Sequence, residues 1–319
     1  MTKIEHIVLC GGGPIGFLEY GALKHLSINN YIDYNNIKSI YTTSIGCIIG
    51  FIYIINLDWS WMDDFLIKRP WEKLVNFTTY DYLNMFYTKG LFGIDFVTIC
   101  LKPLFNAKDI ELTITLKEFY ELTNIEFNLF TCNFTKFEKE KLNYITYPDL
   151  PLIEAIYMSL TVPILCVPMY KNDCFYFDGG IFVLCPINDC IIDKNCDESA
   201  ILCFKNDKIN TLDSSNNFHR TNTDVSGVSI NINNESLTNN SNLIELIIYI
   251  IKILFHKISK IETVRVIENS INVSLGEQLV DINYWKYAIS TESERSHLIN
   301  LGIIQAENYL SKTVLNDNV

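Results

Sequence analysis

Apolar and polar positions follow two rhythms over the first sixty residues. His6-Ile7-Val8-Leu9-Cys10 is a short apolar run stopped by glycine, which predicts a buried strand. Residues 14 to 29 predict a helix: Pro14 suits a first turn, and Phe17, Tyr20, Gly21, Leu23 and Leu26 fall at helical spacing. Ile37 to Thr43 predicts a second strand, and Ile45 to Leu57 a nearly all-apolar helix. The two strands and the helix between them form a βαβ unit, with parallel strands and a right-handed crossover. The loops after both strands then lie at carboxyl ends, where ligands bind in open α/β sheets.

From Trp59 to about Lys117, helical segments alternate with turns at Arg69-Pro70 and Lys89-Gly90. Phe127 to Phe134 predicts a strand and Leu152 to Ser159 a short helix stopped near Pro163. Phe175 to Phe177 predicts a strand ending at Asp178, and Ser199 to Phe204 another. Residues 206 to 242 break the pattern, because Asn, Ser, Thr and Asp dominate and no core can be built from them. They predict a disordered or poorly ordered insertion in a single domain covering residues 1–319. Leu243 to Phe255 is strongly apolar but broken by Glu245 and Lys252, too short and too charged to span a bilayer. It is a candidate for peripheral lipid contact, with Lys252, Lys257 and Lys260 at hand for phosphates, unless it packs on the sheet. Val264 to Val273 and Leu279 to Asn283 predict strands, and Ser293 to Ser311 a final amphipathic helix.

Composition narrows the function classes. The chain has 319 residues, 49% hydrophobic and 19% charged, which describes a globular protein long enough to bury a large core. A formal charge of −12 argues against a nucleic-acid partner and against broad attraction to anionic membranes. The ten cysteines include no CxxC, and Cys185, Cys190, Cys196 and Cys203 match no common zinc spacing, so buried thiols in a reducing compartment are expected. No basic segment followed by a long apolar run opens the chain, so no signal peptide and an intracellular location are expected. Oligomeric state leaves no mark on the sequence.

Three short stretches carry chemistry. Gly11-Gly12-Gly13-Pro14-Ile15-Gly16 follows the first strand and feeds a helix, a setting in which backbone N–H groups suit a developing oxyanion. A dinucleotide loop would need an acid closing the second strand, where this chain has Thr42, Thr43 and Ser44. A Walker loop would need Gly-Lys-Ser/Thr, which is absent. Thr42-Thr43-Ser44-Ile45-Gly46 puts a serine on a sharp strand-to-helix turn with a glycine two places on. A helix cap does not require that glycine, and a nucleophile elbow does. Asp178-Gly179-Gly180 is either a plain turn or a carboxylate base held in apolar surroundings, between Phe175-Tyr176-Phe177 and Ile181-Phe182-Val183. A histidine base is the alternative. His6, His25 and His219 are badly placed, whereas His256 or His297 would make a triad in the order of an α/β-hydrolase.

Taken together these stretches resemble the patatin-like phospholipases. The resemblance rests on the glycine run, on Thr42 to Gly46, on Asp178 to Gly180, and on Ala155-Ile156-Tyr157-Met158-Ser159 leading to Pro163. It covers residue 6 to about 190, and more loosely the last helix around Leu301-Gly302. It implies a three-layer α/β/α fold with a mainly parallel sheet and a Ser44/Asp178 dyad that needs no histidine, metal or cofactor. Gly11, Gly12, Gly13 and Ile45 would form the oxyanion hole, and Gly16, Gly46, Gly179 and Gly180 would support the motifs. Three positions depart from the family pattern: Thr42 for a glycine, Ile15 for a basic residue and Leu184 for an asparagine. The expected function is a lipid acyl hydrolase of phospholipase A type, cleaving carboxylic esters of phospholipids or related lipids. A silent lipid- or protein-binding relative, and a transacylase or thioesterase using the same site, are the alternatives.

Overall fold

The computed structural model describes residues 3–75, 78–205, 265–275 and 282–316. Strand β1 (His6–Leu9) leads into helix α1 (Ile15–Ile28), and β2 (Ser39–Thr43) into α2 (Ile45–Ile55). Then come α3 (Trp59–Asp63), α4 (Thr79–Thr88), β3 (Gly90–Phe92), α5 (Ile94–Ala107) and α6 (Leu116–Thr123). Strands β4 (Glu126–Asn133) and β5 (Glu138–Leu142) precede α7 (Leu152–Leu160). Three short strands follow, β6 (Ile164–Cys166), β7 (Met169–Lys171) and β8 (Cys174–Asp178), then α8 (Ile187–Lys194) and β9 (Ile201–Lys205). The last elements are β10 (Ser270–Asn272), α9 (Ile282–Ser290) and α10 (Glu292–Asn316).

The main sheet runs in the order β10-β9-β1-β2-β4-β8-β7, with β5 also paired to β4. Its first five strands are parallel, and β5, β8 and β7 add antiparallel pairs. Alternation along the strands sends Ile7, Leu9, Ile40 and Leu129 into a large core with residues of α1, α2, α5, α6, α7 and α10. Val8, Cys10, Tyr41 and Phe130 face the other way, against Ile187 and Cys190 of α8. The protein is therefore a three-layer α/β/α fold with a largely parallel central sheet.

The expected βαβ start is present, and the strand before Asp178 forms but runs antiparallel to β4. Strand β5, Glu-Lys-Glu-Lys-Leu, carried no apolar alternation to reveal it and holds its place through β4. The described part of the strand expected at Leu279 to Asn283 is instead the start of α9, because the aromatic residues that follow continue at helical spacing onto α10. The insertion expected at 206–242, the apolar stretch Leu243 to Phe255, His219 and His256 lie outside the described residues.

Candidate active site

The nucleophile candidate stands where β2 becomes α2. Ser44 has φ 53° and ψ −126°, a left-handed conformation that a non-glycine residue adopts only when its surroundings impose it. Two contacts impose it. The Ser44 N–H donates to Ser159 Oγ at 3.0 Å, and the Ser159 hydroxyl donates in turn to the Phe130 carbonyl at 2.5 Å. At the second position of the helix, Gly46 packs so closely on β1 that a Cβ there would sit 2.7 Å from the Leu9 carbonyl oxygen. Any side chain at 46 would push the elbow off the sheet, which is the physical reason for a glycine two places after the serine.

Asp178 closes β8 and is buried at 6% exposure, as Ser44 is at 7%. The Ser44 hydroxyl donates to Asp178 Oδ2 at 2.5 Å. The other carboxylate oxygen accepts the Gly180 N–H at 2.7 Å, and the Asp178 N–H donates to the Thr161 carbonyl at 2.8 Å, so Asp178 is held from three sides. Burial pushes the Asp178 carboxyl from 3.8 up to about 6, while the bonds from Ser44 and Gly180 pull weakly the other way. Gly179 packs on the Phe130 carbonyl, 2.3 Å from where its Cβ would stand.

The glycine run passes beside the serine. Gly11 N–H donates to the Leu184 carbonyl at 2.8 Å, so of the three loop amides expected to face an oxyanion it is already engaged. Gly12 and Gly13, at φ 143° and 58°, and Ile45 at the start of α2 donate to no acceptor among the described residues. Both positive φ values lie in the region that favours glycine. The amino-terminal end of α2 adds its partial positive charge at Ser44. Gly16 lies against the Ile45 side chain and ties the two motifs together.

Of the three departures in sequence, Ile15 is fully buried at the start of α1, and Thr42 lies in β2. Thr42 is fully buried too, donates to the Asn128 carbonyl at 3.1 Å, and turns its methyl toward Gly50, where a Cβ would come within 2.9 Å. Gly50 thus makes the room that a β-branched residue at 42 requires. Leu184 supplies the carbonyl that holds Gly11.

None of the described histidines touches the dyad. His6 is buried at the opposite end of β1, bonded to the Ser39 hydroxyl at 2.8 Å, and burial lowers its imidazole to about 4. His25 lies in the last turn of α1, and His297 is exposed on α10. All ten cysteines are free thiols, and no cluster of metal-ligating side chains occurs among the described residues.

Three contributors went unassigned in the sequence. Ser159 was visible only as part of a helix-ending stretch, and nothing local marked it as the support of the elbow. Glu19 carried a signal, an acid inside the apolar run Phe17 to Leu23. It is fully buried, accepts the Cys10 N–H at 2.9 Å just before the glycine loop, and burial pushes its carboxyl well above the usual range. Trp285 on α9 lays its indole against the loop, where a Cβ on Gly13 would meet the ring at 2.7 Å.

Comparison with known proteins bears on this arrangement. The profile of the family described as patatin-like phospholipase matches residues 7–191. Uncharacterized protein R571 of Acanthamoeba polyphaga mimivirus is 27% identical over 219 residues, 64% of this chain and 67% of that protein. A protein of Invertebrate iridescent virus 6, named "Probable lipid hydrolase 463L", is 29% identical over 193 residues, 57% of this chain and 61% of that protein. Among solved structures, that of VipD from Legionella pneumophila aligns with a TM-score of 0.42 and 14% identity, covering 94% of this chain and 67% of that one.

Proposed function

The chain belongs to the patatin-like phospholipase family, and on that premise we propose that it is a lipid acyl hydrolase working through a Ser44/Asp178 dyad. The observation that carries this reading is the bond from the Ser44 hydroxyl to Asp178 Oδ2, formed in a buried site beside two glycine amides that have no other acceptor among the described residues. Asp178 Oδ2 takes the proton as Ser44 Oγ bonds to the ester carbonyl carbon. The carbonyl oxygen becomes an oxyanion facing the N–H groups of Gly12, Gly13 and Ile45. Collapse breaks the bond to the alcohol, which leaves with the proton from Asp178. Water then attacks the acyl-serine, Asp178 receives the water proton, and the proton returns to Ser44 Oγ as the fatty acid departs. No histidine is required, because a carboxyl of pKa about 6 is ionised at neutral pH yet still basic enough to act.

The relative named as a lipid hydrolase supports a lipid ester as substrate, and attack of Ser44 on the carboxylic ester of a phospholipid would be cleavage of phospholipase A type. The test is incubation with phosphatidylcholine and mass-spectrometric detection of free fatty acid and lysophospholipid. Both should accumulate with the wild-type protein and not with Ser44→Ala. Equal release by the two proteins would contradict the proposal.

A further inference from the structure

Helix α4 has its amphipathic pattern turned inside out. Along Thr79–Thr88 the half-buried positions are Asp81, Asn84, Met85 and Thr88, spaced i, i+3, i+4, i+7, which face the protein body, and Met85 is the one apolar residue among them. Asp81 is used in the cap, accepting from the Thr78 N–H and hydroxyl, and the Thr88 hydroxyl bonds the Asn84 and Gly90 carbonyls. The opposite stripe is apolar and exposed: Tyr80 at 73%, Leu83 at 62%, Phe86 at 64% and Tyr87 at 84%. No residue of this helix is buried. A helix of a water-soluble surface shows the reverse arrangement, and a contiguous exposed aromatic stripe of this kind marks a contact site.

The helix is also coupled to the dyad. Lys89, in a left-handed conformation, turns α4 directly into β3, which pairs in parallel with β6. Gly90 abuts the Cys166 carbonyl so closely that a Cβ would stand 2.3 Å from its carbon. Strand β6 begins three residues after Thr161, whose carbonyl holds the Asp178 N–H. The helix that carries the exposed stripe therefore leads straight into a ladder whose second strand begins three residues after the residue that holds the Asp178 N–H.

We propose that α4 is a docking helix for a zwitterionic lipid–water interface, which it enters through Leu83, Phe86 and the flanking tyrosines. The proposal rests on the lipid-ester reading of the dyad for its purpose, though not for its test. The chemistry selects the occupant. Tyrosine and phenylalanine on one helix face are suited to the headgroup level of a bilayer, with ring bodies in the apolar zone and hydroxyls in the wet one. The helix has no Lys or Arg and one Asp, on a chain of formal charge −12, so an uncharged surface fits it and a polyanionic one does not.

The experiment is flotation of the full-length protein with phosphatidylcholine vesicles, comparing wild type, Ser44→Ala and the triple variant Leu83→Ser/Phe86→Ser/Tyr87→Ser. Wild type and Ser44→Ala should float equally, and the triple variant should bind at least about tenfold more weakly. It should keep the wild-type circular dichroism and the wild-type rate on a soluble short-chain ester. Adding phosphatidylserine or raising salt should not strengthen binding. As a second probe that leaves the fold intact, Tyr87→Trp should acquire quenching by brominated phosphatidylcholine beyond that of the native tryptophans. The proposal is overturned if wild type fails to float, if the triple variant floats as well as wild type, or if the tryptophan at 87 is unquenched. It is equally overturned if the triple variant only converts a dimer to a monomer, which would make a second copy the occupant. A failure of the hydrolase reading would show instead as vesicle binding without ester cleavage.

Discussion

Asp178 lies one register step beyond Thr43 on the same edge of β4. Thr43 pairs with Phe130 and Asp178 with Thr131, and because β5 occupies the other edge at both positions, β8 continues the edge that β2 leaves. Strand β2 runs parallel to β4 and β8 antiparallel, so the two strands approach head to head and their carboxyl ends meet at one gap. Ser44 and Asp178 are the first residues past Thr43 and the last of β8. A separation of 134 residues in sequence becomes a single hydrogen bond through this register.

Asp178→Asn should abolish ester hydrolysis while making the protein more stable. Activity should fall at least about a hundredfold, the usual scale for losing a general base. The asparagine still accepts the Gly180 N–H and faces Ser44 without the cost of burying a charge. A rise in the carboxyl from 3.8 to about 6 corresponds to about 3 kcal/mol held against folding above pH 6. The native state keeps its proton between these values after the unfolded chain has lost it, so stability falls as pH rises through that window. Thermal melts should show the variant ahead of wild type at pH 8, with the gap closing toward pH 4.

The pH profile of kcat/KM should carry the same group. Activity should rise about tenfold per pH unit below 6 and level off above about 7, as Asp178 ionises. His6 would not give this limb, since burial holds it near 4 and it is bonded to Ser39 at the far end of β1. A limb that survives unchanged in an Asp178→Glu protein retaining activity would assign the titration elsewhere.

Ser159→Ala should weaken the elbow without touching substrate. It removes the acceptor of the Ser44 N–H and the donor to the Phe130 carbonyl, and unpaired buried groups cost about 1–3 kcal/mol each. We expect a lower melting temperature and a kcat reduced about tenfold, with KM little changed. Calorimetry and steady-state kinetics on a soluble ester check both, and unchanged kcat would remove Ser159 from the support of the site.

Thr42 and Gly50 should behave as a coupled pair. Alanine in a helix normally gains about 1 kcal/mol over glycine, but a Cβ at 50 would stand 2.9 Å from the Thr42 methyl and 3.0 Å from the Phe127 ring. Gly50→Ala should therefore destabilise the wild-type protein and cost clearly less in a Thr42→Gly background. A double-mutant cycle by chemical denaturation gives the coupling directly, and additivity would contradict the packing described.

How far the sequence could be read follows the range of the interactions. The glycine run, the elbow serine and the aspartate were legible because each is enforced locally, by a tight turn or a strand end that only certain residues permit. The first βαβ unit was legible from period alone. Strand β5 was not, since its charged residues follow no apolar rhythm and its place is set by β4. The engagement of the Gly11 N–H by Leu184, the propping of Ser44 by Ser159 and the room that Gly50 leaves for Thr42 are all tertiary. Each depends on a partner that the local sequence does not announce.

Whether Ser44 is a live nucleophile is decided most directly by labelling with a fluorophosphonate, whose adduct mimics the tetrahedral intermediate and needs both an activated serine and an oxyanion site. The account predicts stoichiometric modification of the folded protein at Ser44, located by peptide mass spectrometry. Labelling should vanish in Ser44→Ala, fall sharply in Asp178→Asn and in Gly12→Val, and persist in His297→Ala. Folded protein that stays unlabelled, or labelling carried by a different serine, would contradict it.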